Sequence, residues 1–210
     1  EDPEYYDAEA DVYEYYDFEV VNGGYYSYAV SAFDFAGNES DLSREYVLDV
    51  PRPENSPERP LFLEDRFEAP NFSGYDFSGL TNTSQSWSSA STDLWFEVGV
   101  DGIPRFVVPT DEVRIQDFGY IAFDDLSFAP GAGWSRADTV EAIEGHTYVV
   151  WISDDGDFGP TSHYAKFELL GLSDDFASLY WGYQAVPGEP ELSVPERPAD
   201  EDLRIEEEAS

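Results

Sequence analysis

Asp154, Asp155 and Asp157 in the stretch SDDGDFG place three carboxylates within four residues on a Gly-containing segment. An oxygen-rich loop of this kind suits a hard cation such as calcium. The spacing is not that of an EF-hand, and in a chain this acidic a solvated turn explains the same residues. Both readings stay open. Asp124-Asp125 and Asp174-Asp175 are thinner versions of the same pattern. Asn71-Phe72-Ser73 and Asn82-Thr83-Ser84 are N-glycosylation sequons, and the Ser/Thr run TNTSQSWSSAST (81–92) around Trp87 reads either as a glycosylated surface stretch or as an edge strand with polar flanks. Neither His146 nor His163 has a Ser or Cys at a recognisable catalytic spacing. G-x-S-x-G, P-loop, dinucleotide and H-E-x-x-H motifs do not occur. The expectation is a protein that is not an enzyme.

The 46 acidic and 10 basic residues give a formal net charge of -36, spread along all 210 residues. Such a surface repels nucleic acid and anionic membranes, so neither is an expected partner. Nine of the basic residues are Arg and only Lys166 is Lys, a balance that resembles proteins adapted to high salt. No stretch is apolar for a membrane-spanning length, and no direct membrane insertion is expected. Without Cys, disulfides and thiol chemistry are excluded. The opening EDPEYYD follows either a removed leader or further chain.

Tyr, Phe, Val, Ser, Thr, Gly and Pro in short blocks, with few helix-forming runs, predict an all-β fold. Pro-rich stretches divide the chain into a module over 1–50, an extended linker PRPENSPERP over 51–60, a β-rich domain over 61–186 and an acidic Pro-rich tail over 187–210. In the first module Tyr26, Tyr28, Val30 and Ala32 alternate on one strand face, with Arg44 to Val50 as partner and DFAGNES as the turn. In the second, HTYVVWISDDGDFGPTSHYAKFELLGL from His146 reads as a hairpin. GVDGIPRFVV, IQDFGYIAF and SLYWGYQAVPGEPEL add strands to a meander or small β-sandwich.

Tyr13 and Asp17 ahead of Val20, Asn22-Gly23, Tyr26-x-Tyr28-x-Val30 and Ala36-Gly37-Asn38-Glu39-Ser40 resemble the end of a fibronectin type III domain over about residues 11–50. The resemblance implies a partial sandwich, with Tyr26 in the tyrosine-corner position and its hydroxyl tied to backbone, Tyr28 beside it and Asn38 in the turn as structural residues. GHTYVVWISDDG, YAKFELL and YWGYQ, with SGYDFS upstream, look like the HmuY-type domain of bacterial surface lipoproteins over about 60–192. That resemblance implies an extracellular or cell-surface location and, in some members, haem held by two histidines. Yet a hairpin turning near Gly156 to Phe158 sets His163 opposite about residue 153. That position lies about seven residues, or roughly 23 Å, along the strand from His146. Two axial ligands of one iron stand about 4 Å apart. Calcium therefore remains the cofactor to test, and bis-His haem is argued against.

A complete fibronectin-like sandwich has about seven strands, and the first 50 residues have room for about four. The expectation is an extracellular structural protein, the repeating subunit of a filament or surface layer. Its partners would be copies of itself or other surface proteins, with a neighbour's DVYEYYDFEV supplying strands in preference to ELSVP or DLRIEEE, which offer too few side chains to bury. The alternative is a monomeric cell-surface module that binds a small ligand, related to haem capture.

Overall fold

The computed structural model describes residues 5–7, 12–15, 17–44, 47–109, 111–134, 136–153 and 156–193. Among them are thirteen strands and no helix, so the fold is all-β. The chain divides into two units, Glu1–Pro51 and Arg52–Ser210.

In the N-terminal unit β1 (Tyr5–Asp7) pairs antiparallel with β2 (Val12–Glu14), and β3 (Tyr26–Tyr28) with β4 (Val47–Asp49). The β3–β4 pair is the middle of a longer hairpin. Gly23 N bonds Pro51 O at one end; at the other, Ser43 N bonds Val30 O, Ser40 N bonds Ala32 O, and Asp34 N bonds Asn38 O across the turn. The expected single face breaks within it. Tyr26 and Tyr28 are half-buried, but Val30 and Ala32 are exposed. Val30 and Ala32 lie beyond the β3–β4 ladder, where their carbonyls accept from Ser43 N and Ser40 N near the turn.

The C-terminal unit holds two antiparallel sheets. One has the order β10 (Thr139–Glu141), β8 (Pro104–Val107), β7 (Leu94–Val98), β6 (Gly74–Tyr75). The other runs β5 (Leu61–Glu64), β13 (Phe176–Gln184), β12 (His163–Leu172), β11 (Thr147–Ile152), β9 (Val113–Asp117). Strand alternation decides what each face meets. On β11 Tyr148, Val150 and Ile152 enter the main core with Ala165, Phe167 and Leu169 of β12 and Leu179, Trp181 and Tyr183 of β13. Tyr75, Leu94, Phe96 and Phe106 of the four-stranded sheet join the same core, so the two sheets face each other across it. The opposite face of β11 gives Val149 to a smaller cluster with Leu126, Ala129 and Leu192, beside Trp134 and Tyr164.

Two boundaries differ from the sequence reading. The expected linker is not a free spacer: Tyr183 N bonds Pro53 O, Asn55 N bonds Trp181 O, and Glu54 bridges Gly182, so residues 53–55 lie along β13. The expected tail begins too early, because Ala129 N bonds Pro190 O and Leu192 N bonds Ser127 O, closing 190–193 over the outer face of the five-stranded sheet. A Cβ on Gly182 would stand 3.2 Å from Phe123 Cζ, and this close approach of β13, Glu54 and the 121–129 loop is what the glycine admits. Proline-rich composition reports the missing N–H groups, and an edge position needs only some of them.

Candidate functional site

The hairpin of the N-terminal unit is built around three tyrosine- and aspartate-centred ties. Val21 N–H donates to Tyr26 Oη at 2.9 Å, and a Cβ on Gly24 would stand 2.7 Å from the Tyr26 ring, so Gly24 lets the ring lie flat against the backbone. Tyr28 Oη donates to Asp17 Oδ2 at 3.1 Å, and desolvation followed by that carboxylate raises the phenol above its usual range. At the turn Asp34 Oδ1 accepts from Ala36 N and Asn38 N, both at 2.8 Å, and Oδ2 accepts from Asn38 Nδ2 at 2.7 Å. The side-chain bond from Asn38, then the backbone ones, hold the Asp34 carboxyl below the ordinary carboxylate value. Gly37 completes the turn at φ +84°. Replacing Tyr26 with Phe removes the acceptor of Val21 N–H. Urea melts followed by tyrosine fluorescence are expected to show the N-terminal unit weakened by about 1 kcal/mol, with the C-terminal unit unchanged.

This braced hairpin leaves several apolar side chains outward. Tyr25, Val30, Phe33 and Leu42 are each at least 65% exposed, as are Phe18 and Val21 just before it, and Phe35 at the turn is fully so at 115%. Val47 and Leu48 are exposed on opposite faces of β4. An isolated two-stranded ribbon is at best marginally stable in water, and contiguous exposed apolar surface marks an interaction site.

Of the three calcium candidates, Asp154 and Asp155 lie outside the described residues. Asp157 is exposed on the loop after Gly156. Among the described residues no three His, Cys, Asp or Glu side chains are grouped to hold a metal. The β11–β12 register sets His163 opposite Ile152, one residue from the expected partner. His146 Nδ1 meets both Asp117 carboxylate oxygens at 3.0 Å with the edge of Tyr120 against it, and His163 Nδ1 meets Gln184 O at 3.0 Å. The two imidazoles thus stand at opposite ends of the ladder, each engaged by a different strand.

The sequons diverge. Asn71 is exposed in a turn. Asn82 is exposed too, but its amide is engaged: Nδ2 donates to Arg59 O at 2.8 Å, and Oδ1 accepts from Trp181 Nε1 and Asn55 Nδ2, both at 3.1 Å. A glycan on Asn82 would displace this network, which ties the 55–60 segment to β13.

Lys166 carries no signal in the sequence beyond being the single lysine. It is 1% exposed on the outer face of β12, where its Nζ donates to Phe123 O, Leu126 O and Ser193 Oγ and lies 3.9 Å from the Phe123 ring centroid. One ammonium therefore pins both covering segments. Burial, then the Arg52 guanidinium, push its pKa down to about 8, against the pull of Asp124 and Glu54. The outward phase of the strand was legible from alternation, but the cover was not, because it comes from loops 40 and 27 residues away.

Comparison with known proteins finds no matching family, no matching curated protein and no matching solved structure. The fibronectin type III and HmuY resemblances rest on the residues quoted for them.

Proposed function

We propose that this protein is an extracellular or cell-surface structural subunit that assembles with copies of itself through its N-terminal hairpin. The observation that carries the reading is the set of exposed apolar side chains, Tyr25, Val30, Phe33, Phe35, Leu42, Val47 and Leu48, on a hairpin whose turn and tyrosine ties hold it in shape without covering them. Association covers that surface and joins edges that a two-stranded ribbon leaves open. The ELSVP stretch is a poor strand donor, because Glu191 and Leu192 are already bonded to the 127–128 segment of their own chain. Val12–Glu14 of the DVYEYYDFEV stretch is paired with Tyr5–Asp7, and DLRIEEE lies outside the described residues. The hairpin itself is thus the better-supported contact.

A charge of -36 on every copy opposes assembly where repulsion reaches far. The Debye length is about 30 Å at 0.01 M salt and about 3 Å at 1 M. Light scattering across that NaCl range is expected to show mass rising with salt and with protein concentration, and melts are expected to shift upward in parallel. A monodisperse species of about 24 kDa at every salt concentration would end this reading.

A further inference from the structure

We propose that Asn71 carries an N-linked glycan whose first sugars lie over the aromatic side chains of Phe67, Phe72 and Trp87. The proposal rests on the cell-surface location proposed above, because N-glycosylation acts on chains that leave the cell. The sequence holds three acceptor motifs: Asn38-Glu39-Ser40, Asn71-Phe72-Ser73 and Asn82-Thr83-Ser84. The fold already uses two of the three amides. Asn38 Nδ2 donates to Asp34 Oδ2 at 2.7 Å and closes the hairpin turn, and Asn82 Nδ2 donates to Arg59 O at 2.8 Å. A sugar on either nitrogen competes for the space that the acceptor fills. Asn71 is exposed, and among the described residues its side-chain amide makes no hydrogen bond. Its backbone is nevertheless fixed. Phe72 N–H donates to Ala69 O at 3.0 Å and closes a turn with Asn71 inside it, while Pro70 O accepts from Trp87 N–H at 3.2 Å and from Ser73 Oγ at 3.3 Å.

The surroundings of this turn suit a sugar. The Trp87 bond to Pro70 O holds Trp87 beside the acceptor, and the Arg66 guanidinium lies 4.7 Å from the Trp87 ring centroid and 4.6 Å from that of Phe67. Glu97 pairs with the same guanidinium at 3.0 Å, which fixes the cation that the two rings flank. Phe67 is 57% exposed, Phe72 54% and Trp87 36%, and the exposed Ser88 and Ser89 follow Trp87. The C–H face of a pyranose covers aromatic rings while its hydroxyls bond to serines. Such a contact is weak between separate molecules, but a covalent tether makes it intramolecular. A glycan placed here shields apolar surface that is otherwise open. Ser73 is fully buried, so its hydroxyl is readable only before the chain folds. In the transfer Asn71 Nδ2 attacks the anomeric carbon of a sugar carried on an isoprenoid phosphate. The N–C bond forms, the C–O bond to phosphate breaks, the lipid phosphate leaves with the electron pair, and Nδ2 gives up one proton.

The test takes the full chain from the cells that produce it and maps its peptides by mass spectrometry, beside the Asn71→Gln and Asn82→Gln variants. Glycan mass is expected on the peptide holding Asn71 and on neither of the other two acceptors, and it is expected to disappear in Asn71→Gln alone. Acrylamide quenching of tryptophan fluorescence is expected to rise in Asn71→Gln, and the rise to vanish when Trp87→Phe is added. Carbohydrate on Asn38 or Asn82 of the folded protein, or on no asparagine at all, overturns the site. A glycan at Asn71 with unchanged quenching overturns its place over the rings. Digestion of intact cells with added protease reads the location separately. A chain protected inside the cell ends the cell-surface reading together with this proposal, whereas a digested, surface-exposed chain free of carbohydrate ends the proposal alone.

Discussion

Replacing Phe167 with Ala is expected to destabilise the C-terminal unit by about 3–5 kcal/mol, a large share of the roughly 5–15 kcal/mol that holds a domain folded. Phe167 sits in the middle of β12, the central strand of the five-stranded sheet, and is fully buried. Its ring meets Phe106 edge-on at 4.9 Å, stacks with Tyr148 at 4.9 Å and lies 6.3 Å from Phe77. It is therefore the point where rings of both sheets meet. The substitution removes its own apolar burial and leaves a hole whose walls are held by hydrogen-bonded strands on either side. Tyr148 Oη also donates to Glu141 O and accepts from Ile143 N, so that ring cannot swing in without breaking those bonds. Urea denaturation followed by tryptophan fluorescence measures the loss. A decrease under 1 kcal/mol would mean that the two sheets do not share this core.

The second large effect is a dependence of stability on alkaline pH. The folded Lys166 has a pKa near 8 against 10.5 for an ordinary lysine. Between those values the unfolded chain holds the proton and the folded chain has released it. Unfolding then takes up a proton, and stability rises with pH across the window. The full shift corresponds to roughly 3 kcal/mol as an upper bound. Above about pH 10 the sign reverses. Tyr75, Tyr148 and Tyr180 have pKa values raised first by burial, so the unfolded chain ionises them before the folded one does, and stability falls. Urea melts should accordingly show a stability maximum near pH 10. In Lys166→Met the rise from pH 8 to 10 disappears and the fall above pH 10 remains. Met also leaves Phe123 O, Leu126 O and Ser193 Oγ without their donor, so the 121–129 cover loosens at neutral pH. A variant that keeps the wild-type slope between pH 8 and 10 would show that another group carries it.

What was legible in the sequence follows the range of the interactions concerned. The 147–152 alternation and the Gly/Asp/Pro turn gave the β11–β12 hairpin to within one residue of register, because strand phase and turn chemistry are local. The all-β class followed from the same signals. The linker was misread because what holds Asn55 is Leu179, Trp181 and Asn82, and only the folded sheet brings them beside it. Val30 and Ala32 keep the period of a strand yet face water, because they lie beyond the β3–β4 ladder. Asn82 has the letters of a sequon, and its bonds to Arg59, Trp181 and Asn55 are made by segments that only the fold brings beside it. The outward hydrophobic row was present in the letters of the hairpin, but only the structure distinguishes exposed Val30 from half-buried Tyr28.

Lys166 has a practical consequence for the chemistry of this molecule. With the single lysine amine enclosed by Phe123, Leu126 and Ser193, the intact fold offers acylating reagents and lysine-modifying enzymes no side-chain amine to attack. Modification of this one residue is thus gated by opening of the 121–129 loop or of the 190–193 segment, and its rate counts how often they lift from the sheet.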